Sequence, residues 1–428
     1  MNRSLVPAAI IALAVFTANR RSGATDRPRV DATGAARVGG LSAMDSLDSP
    51  AGAGSAEPYL TVGPDGRAYM SWLEPANPGF ALRFAMHDGV RWLPARTIVS
   101  RTDFFVNWAD FPSLRVLGNG RLAAHWLQRN GPGTYAYGVR VSQSTDGGAT
   151  WSTPVIPHRD STMSEHGFVA TWNDAGALGA VWLDGRKVKP RVAGAPASAE
   201  HDAHNEMMLV HTTVRADGSL GAETVLDART CDCCQNAAAL TDDGPIVAYR
   251  NRSDAEVRDI YVTRRVKGAW MVGVPVHADN WTIAACPVNG PALAARGRRV
   301  ALAWFTAATD SGRVNIAFSD NAGGTFDAPV RVDGGSPAGR VDVALLPDGG
   351  ALVTWVERIG GDVAAVRTRR VGRDGRLGAV TTVATSSVAR ASGFPKAVIV
   401  GQQVMFAWTV AGRPSNIRVA RTSLAALP

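Results

Sequence analysis

The sequence predicts an all-β fold, a seven-bladed β-propeller of four-stranded blades. One phrase recurs seven times: a short apolar strand, a Gly or Asp-Gly turn, and a second strand that ends in an aromatic residue. The copies lie roughly 55 residues apart, and they end at Trp72, Trp126, Trp182, Tyr249, Trp304, Trp355 and Trp408. Each interval holds two further strand-like runs, and no helical period competes with the alternating pattern.

The chain begins with a segment that is similar to a secretory signal. Residues 1–21 place a positive start before an apolar stretch, Leu5 to Ala18, which is too short to span a bilayer comfortably. We expect export, either secreted or periplasmic. Because Asn19-Arg20-Arg21 follows where small residues usually mark cleavage, an uncleaved N-terminal anchor is the alternative. No other apolar run is long enough to cross a membrane.

Residues 22–55, rich in Ala, Gly, Ser and Asp, are predicted to be a linker before a single propeller domain at 56–428. The seventh repeat is incomplete, because only one clear strand follows Trp408. A propeller must close its ring. We therefore expect a strand at roughly residues 36–48 to complete the last blade.

The net charge of +8 comes almost entirely from arginine. A basic chain suits an anionic partner, but these arginines are scattered and form no run. The sequence therefore gives no indication of a nucleic-acid partner. It does not predict an oligomeric state.

One short motif connects the repeats to a known family. Ser144 to Trp151 reads STDGGATW, and Ser319 to Phe326 is a degraded copy with Asn321 in place of Asp. In this pattern the Asp side chain caps backbone amides in a tight hairpin, and Gly permits a positive φ. The sequence resembles the Asp-box (BNR-repeat) propellers of the sialidase superfamily.

The resemblance implies a propeller whose Asp boxes lie on the face opposite the substrate site. Sialidases have six blades, a Phe-Arg-Ile-Pro motif, three arginines for the substrate carboxylate, a Tyr/Glu nucleophile pair and a separate Asp acid. Six blades are thus the alternative to seven. This chain contains no Arg-Ile-Pro, so the sialidase catalytic residues are not transferred to it. An Asp box by itself indicates architecture and not activity.

Propeller geometry still limits where a site can lie. Loops that lead into the innermost strand of each blade share one face with loops that join the second strand to the third. Polar residues concentrate in both sets. The candidates for acid, base or nucleophile are Glu165, Asp184, Asp110 and His166; the candidates for substrate binding are Arg186, Arg250, Arg340, Trp108, Trp281 and Asn289. A long insertion, Lys187 to about Asn205, is expected on the same face and favours a functional loop.

The four cysteines are expected to share one corner of this face. Cys231, Cys233 and Cys234 open the fourth repeat, and Cys286 lies at the equivalent point of the fifth. In an exported protein disulfides are the first interpretation. A thiolate site for copper or zinc is the second, with His166, His201 or His204 as a further ligand. A redox or catalytic thiol is the third.

Three functions remain open. The first is a sialidase-like exo-glycosidase that acts on acidic or modified glycans at the channel mouth, where two carboxyls flank the bond and arginines hold a carboxylate or sulfate. The second is a binding or assembly propeller that holds a glycan or small-molecule ligand without cleaving it. The third is a Cys/His metal-binding protein.

Overall fold

The computed structural model describes residues 44–188 and 206–428, and the predicted ligands His201 and His204 lie outside these ranges. Within them the chain forms seven antiparallel sheets arranged as the blades of a propeller, so the seven-bladed prediction is confirmed and the six-bladed alternative is wrong. No helix in the described ranges is long and apolar enough to cross a membrane.

In blades 1 to 6 the strands run in chain order from the central channel outwards. Blade 1 contains β2 (Ala56–Val62), β3 (Ala68–Pro75), β4 (Phe80–Met86) and β5 (Arg96–Arg101). Blade 2 contains β6 (Ser113–Gly118), β7 (Arg121–Arg129) and β8 (Tyr137–Ser144), with a single bridge from Val141 to Val155 in place of a fourth strand. Blade 3 contains β9 (His166–Asp174), β10 (Ala177–Asp184), β11 (Met207–Val214) and β12 (Thr224–Thr230).

The next three blades repeat this plan. Blade 4 contains β13 (Ala237–Thr241), β14 (Gly244–Arg250), β15 (Ile260–Val266), β16 (Ala269–Trp270) and β17 (Val274–Pro275). Blade 5 contains β18 (Ala292–Arg296), β19 (Arg299–Thr306), β20 (Arg313–Ser319) and β21 (Val330–Arg331). Blade 6 contains β22 (Pro337–Leu345), β23 (Ala351–Gly360), β24 (Val363–Val371) and β25 (Leu377–Ser387).

Blade 7 is built from both ends of the described chain. It contains β26 (Lys396–Val400), β27 (Gln403–Val410), β28 (Asn416–Ser423) and, as its outermost strand, β1 (Asp45–Leu47). Asp45 pairs with Arg421 and Leu47 with Val419 in antiparallel register. The ring-closing strand therefore falls inside the interval that the sequence predicted. Two short 3-10 helices, Arg390–Ser392 and Leu424–Ala426, flank this blade.

The core lies between the blades. The described residues form seven apolar clusters, one between each pair of neighbouring blades, including one between blades 7 and 1. The seven repeat aromatics all lie on second strands and are buried. Burying an aromatic side chain removes a large apolar area from water, so these residues stabilise the blade interfaces.

Candidate functional site

The two sets of loops on one face define the region where the predicted residues lie. We call the loops that lead into innermost strands the inner-strand loops. Residues 107–111, the inner-strand loop of blade 2, contact three other blades. Trp108 stacks on Phe394 with ring centroids 5.8 Å apart, the Arg340 guanidinium lies over the Trp108 ring at 4.9 Å, and Gln235 donates to the Ala109 carbonyl. This loop therefore packs over the channel, which holds a cavity of about 110 Å³ lined by Asp110, Asp342 and Lys396.

In this region two of the predicted carboxyls contact the same tyrosine, a residue that the sequence analysis missed. The Tyr137 hydroxyl lies 2.7 Å from Asp110 Oδ2 and 2.7 Å from Glu165 Oε1. A phenol has one proton to donate, so a proton on one of the carboxyls is needed for both contacts to be hydrogen bonds. We call Asp110, Tyr137 and Glu165 the phenol–carboxyl cluster.

The phenol–carboxyl cluster is held by the blades on either side. The Tyr137 ring, at the start of β8, is buried and stacks on Phe105 with centroids 3.7 Å apart and planes 10° apart. Asp110 Oδ1 accepts the Phe168 amide of β9 at 2.7 Å. A side chain at Gly167 would overlap both the Asp110 carboxylate and the Tyr137 hydroxyl. A residue with a side chain therefore does not fit at Gly167 unless Asp110 or Tyr137 moves.

Both carboxyls of this cluster have raised pKa values. Burial raises the pKa of Asp110 to about 7, although the hydrogen bonds from Tyr137 and the Phe168 amide lower it. Burial likewise raises the pKa of Glu165 to about 8, and the negative charges of Asp110 and Asp232 add to the effect while Tyr137 opposes it. Burial is the largest cause in both, because it disfavours the charged form.

A third carboxyl, also missed from the sequence, lies near this cluster. Glu57 stands at the start of β2 in the left-handed backbone region, with φ of 59°. Burial and the charge of Asp110 raise its pKa well above the ordinary value. Within the described ranges, Glu57 Oε2 is buried without a hydrogen-bond partner. The starts of blades 1, 2 and 3 thus each contribute one carboxyl to this region.

Asp184, His166 and Arg186 lie in a different arrangement. Asp184 accepts hydrogen bonds from Arg186 Nε at 2.7 Å and Arg186 Nη2 at 2.6 Å, and Arg186 Nη1 pairs with Glu223 at 2.7 Å. His166 Nε2 lies 2.9 Å from Asp160 Oδ2. We call Asp160, His166, Asp184, Arg186 and Glu223 the ion-pair network. Its carboxylates, unlike those of the phenol–carboxyl cluster, face a guanidinium.

The arginine determines the ionisation of Asp184. Burial raises the pKa of Asp184, but the hydrogen bonds from Arg186 and Trp182 and the charge of His166 outweigh it, so the pKa lies below the ordinary value. A carboxylate two residues after the repeat tryptophan also occurs in other blades. Trp182 Nε1 donates to Asp184, as Trp72 Nε1 donates to Glu74 and Trp355 Nε1 to Glu357. A Trp-x-carboxylate pair is thus a feature of several blades.

Like Arg186, the other two predicted ligand-binding arginines donate to the protein itself. Arg340 donates to the carbonyls of Val388, Ala389 and Gly393 and to Ser392 Oγ. Burial, followed by the charge of Arg358, lowers its pKa to about 10. Arg250 donates to the carbonyls of Asn289, Arg258 and Phe305 and packs over the Trp281 ring at 4.9 Å. These guanidiniums connect blades 4 to 7.

Asn289 and Trp281 share this connecting role. Asn289 Oδ1 accepts the Arg340 amide at 2.7 Å, and its side-chain nitrogen donates to the carbonyls of Pro287 and Ala338. The Trp281 ring is buried beneath Arg250. Of the predicted binding residues, Arg186 and Trp108 are the ones that remain partly exposed.

The four cysteines meet at the junction of blades 4 and 5, and all are free thiols. The Sγ atom of Cys231 lies 3.8 Å from that of Cys233 and 3.5 Å from that of Cys234, whereas a disulfide requires about 2.05 Å. The disulfide interpretation is therefore not what the structure shows. Cys286 lies beside Cys233 and Asp232, and we call Cys231, Cys233, Cys234 and Cys286 the cysteine cluster.

Cations surround the innermost thiol of this cluster. Arg258 Nη1 lies 3.3 Å from Cys231 Sγ, and its side chain is fully buried. Burial raises the pKa of Cys231, but donation from Cys233 and Cys234 and the charges of Arg258 and Arg250 bring it well below the ordinary value. Asp232 connects the two regions, since its charge also acts on Glu165.

The residues that sequence reasoning missed share one property. Tyr137, Glu57, Asp232 and Arg258 gain their importance from partners in other strands or blades. Tyr137 could have been predicted from the sequence, because it follows the loop between the second and third strands of blade 2. That loop belongs to one of the two sets on this face.

The chain was compared with known proteins at three levels. No protein-family model and no curated protein matches it. Among solved structures, a polysaccharide lyase of family PL25, an ulvan lyase, aligns with a TM-score of 0.51 and 12% identity over 91% of this chain and 99% of that one. This likeness shows the fold alone.

Two further structures align below a TM-score of 0.5. The NanB sialidase of Streptococcus pneumoniae (K499G mutant) aligns at 0.46, with 10% identity over 90% of this chain and 93% of that one. The α-L-arabinanase of Penicillium chrysogenum aligns at 0.47, with 12% identity over 90% of this chain and 98% of that one. The chain has the seven-bladed propeller fold that its sequence predicts.

Proposed function

We propose that this protein is a secreted or periplasmic glycan-cleaving enzyme, with Glu165 as the acid–base group. One observation carries the proposal: the Tyr137 hydroxyl lies between two carboxyls, Asp110 and Glu165, whose pKa values are close to neutral. Cleavage of a glycosidic bond needs proton transfer to the leaving oxygen. An acid–base group works best when its pKa lies near the operating pH.

The spacing within the cluster supports this chemistry. Each carboxyl oxygen lies 2.7 Å from the same phenol oxygen, so the two carboxyl oxygens are at most twice that distance apart. The phenol occupies the space between the two carboxyls, so they share its proton and do not flank a glycosidic bond as the two carboxyls of a retaining glycosidase do. The set of one Tyr, one Glu and one Asp also resembles the composition of the sialidase site.

The three residues differ in exposure, and this difference supports separate roles for them. Tyr137 and Asp110 are buried, with exposed fractions of 1% and 2%, whereas Glu165 is half-buried. Glu165 is therefore the group that contacts substrate. Tyr137 and Asp110 are positioning residues, because they share a proton with Glu165 and fix its orientation.

An acidic or modified glycan is the proposed substrate class. At neutral pH the raised pKa values leave the phenol–carboxyl cluster largely protonated, so that it repels an anionic sugar less than two carboxylates would. The net charge of +8 attracts such a ligand over longer distances.

The test is a turnover screen on anionic polysaccharides and aryl glycosides, with new reducing ends and unsaturated ends both measured. Reducing ends report either reaction, and the absorbance of an unsaturated sugar distinguishes elimination from hydrolysis. We expect Glu165→Gln to lower kcat at least about 100-fold. Asp227→Asn is the matched control, since Asp227 accepts from Tyr249 at 2.6 Å in the same way but away from the cluster. Full activity in Glu165→Gln would overturn the proposal.

A second candidate is a propeller that binds a glycan and does not cleave it. The internal partners of Arg250, Arg340 and Asn289 favour it, because side chains used to join blades leave few donors for the orientation of a scissile bond. Saturable glycan binding without turnover, unchanged in Glu165→Gln, would establish this candidate and exclude the enzyme.

A further inference from the structure

We propose that the cysteine cluster binds one thiophilic closed-shell metal ion, Zn²⁺ or Cu⁺, through Cys231, Cys233, Cys234 and Cys286. Three thiols converge from four consecutive positions of one loop, and the fourth comes from the equivalent loop of the next blade. This inference goes beyond the proposed function and does not depend on it.

The separations of the sulfur atoms fit a metal better than a disulfide. Two thiolates bound to one tetrahedral ion at about 2.3 Å each lie about 3.8 Å apart. The Sγ atom of Cys231 lies at 3.8 Å from that of Cys233 and 3.5 Å from that of Cys234. These are the edges expected around a single ion. A ligand atom from each of Cys231, Cys233 and Cys234 lies within 4.8 Å of the other two.

The fourth thiol approaches the set from the neighbouring blade through Cys233. Cys286 Sγ shares a second group with Cys233 and Asp232, whose ligand atoms also lie within 4.8 Å of one another. Cys233 is thus common to both groups. A metal at the cluster would join the inner-strand loop of blade 4 to that of blade 5.

Two buried guanidiniums lie beside the cluster and would offset the negative charge that metal-bound thiolates bring. The Arg258 guanidinium contacts Cys231 Sγ at 3.3 Å and is fully buried, and Arg250 is buried close by. A metal ion binds the thiolate, so each thiol that ligates releases its proton to solvent. Soft sulfur ligands select Cu⁺ and Zn²⁺ over harder ions such as Mg²⁺ and Ca²⁺.

The proposed ion lies next to the candidate active site. Gln235 and Asn236 follow the cluster directly; Gln235 bonds to Ala109 and Gly290, and Asn236 donates to the Phe168 carbonyl. The loop that carries three ligands therefore also packs against the channel. The metal would fix the conformation of that loop.

The test uses the full chain, expressed with zinc or with copper under reducing conditions and purified without chelator. Native mass spectrometry and elemental analysis count metal, and alkylation counts reactive thiols. We expect one equivalent of Zn²⁺ or Cu⁺, four thiols protected in the metal-loaded protein and four reactive after chelation and denaturation. The two expression conditions decide which ion is bound. Metal-free protein under both conditions, or disulfides among the four cysteines, would overturn the proposal.

Variants identify the ligands. The double variant Cys231→Ser/Cys234→Ser should lose the metal, and Cys286→Ser should weaken binding at least tenfold in competition with a chelator. Asp232→Asn is the control and should keep one equivalent. If Asp232→Asn loses metal and Cys286→Ser keeps it, the four-cysteine assignment is wrong. If the double variant does not fold, substitution of Co²⁺ in the wild-type protein still reports a tetrahedral thiolate site by its visible absorption; an octahedral spectrum would overturn the proposal.

Discussion

Glu165 and His166 are neighbours in sequence, yet their side chains belong to two different electrostatic environments. Glu165 faces Tyr137 and Asp110 in the phenol–carboxyl cluster, where burial without a paired cation raises its pKa. His166 faces Asp160 and Asp184 in the ion-pair network, where Arg186 holds the pKa of Asp184 below its ordinary value. Both regions are buried and rich in carboxyls, and one guanidinium distinguishes them.

The difference shows what a buried carboxyl needs in order to exchange protons. A carboxylate fully paired with arginine stabilises the fold and stays ionised at any working pH. A carboxyl that is buried with only a phenol and another carboxyl can gain and lose a proton near neutrality. The three predictions below separate these two roles.

The largest effect on folding is expected from Asp184→Asn. Asparagine keeps one acceptor oxygen, but the Arg186 guanidinium loses its buried ion pair and one of its two hydrogen bonds to this side chain, and the network around His166 is weakened. Breaking a buried ion pair on one side costs about 3 to 5 kcal/mol. Denaturant unfolding measures the loss, and kcat of the folded protein should change less than in Glu165→Gln. A stability loss below about 1 kcal/mol would contradict the role assigned to the network.

The two regions should give opposite dependences of stability on pH. The pKa of Asp110 is raised in the folded state to about 7, so the folded protein binds its proton more tightly than the unfolded chain. The stabilisation that the Asp110 proton gives to the folded state is fully present below about pH 4 and is lost as pH rises through 7. Asp184 has a lowered pKa, so its contribution is present above about pH 4 and is lost at lower pH.

We therefore expect the free energy of unfolding to fall between pH 5.5 and pH 8.5, by about 2 kcal/mol from the Asp110 shift and by a further amount from Glu165, whose pKa is also raised. Asp110→Asn should remove at least the Asp110 part of that fall, whereas Asp184→Asn should leave the fall in place. Denaturation curves at the two pH values measure this. Equal slopes in wild type and Asp110→Asn would show that Asp110 is ionised throughout.

The smallest change in stability is expected when either of two tyrosines is replaced by phenylalanine. Tyr137→Phe removes contacts to two carboxyls, and Tyr249→Phe removes one contact, to Asp227, which keeps a hydrogen bond from Asn251. Hydrogen bonds to charged groups are worth about 1.5 to 3 kcal/mol. We expect Tyr137→Phe to cost about 2 kcal/mol and to shift the pH profile of activity. Tyr249→Phe should cost about 1 kcal/mol and leave that profile unchanged, and a shift in both would mean that the effect is structural.

The fold could be read from the sequence because each blade is a local unit. The repeat aromatics mark second strands, and the Gly turns mark hairpins, so number and order of strands follow from nearby residues. Closure was also predictable, because a ring with an incomplete last blade needs one more strand. The observed β1 lies at residues 45–47, at the end of the predicted interval.

The site could be read only in part. Asp110, Glu165 and the four cysteines stood out because inner-strand loops share one face. Their partners did not, since Tyr137 is 27 residues from Asp110 and Ser392 is 52 residues from Arg340. Hydrogen bonds across blades decide whether an arginine is available to a ligand or used internally. The internal pairing of Arg186, Arg250 and Arg340 therefore required coordinates.

The pairing of β1 with β28 has a consequence for how the protein folds. The first described strand must wait for one of the last, because Asp45 finds its partner only when Arg421 has been made. Pairing over such a long separation in sequence is slow, since the chain must close a large loop first. Until then β28 presents an unpaired edge, which is a template for association with other chains. The ring is thus most vulnerable to aggregation just before it closes. The three residues of β1 then cover the exposed edge of β28.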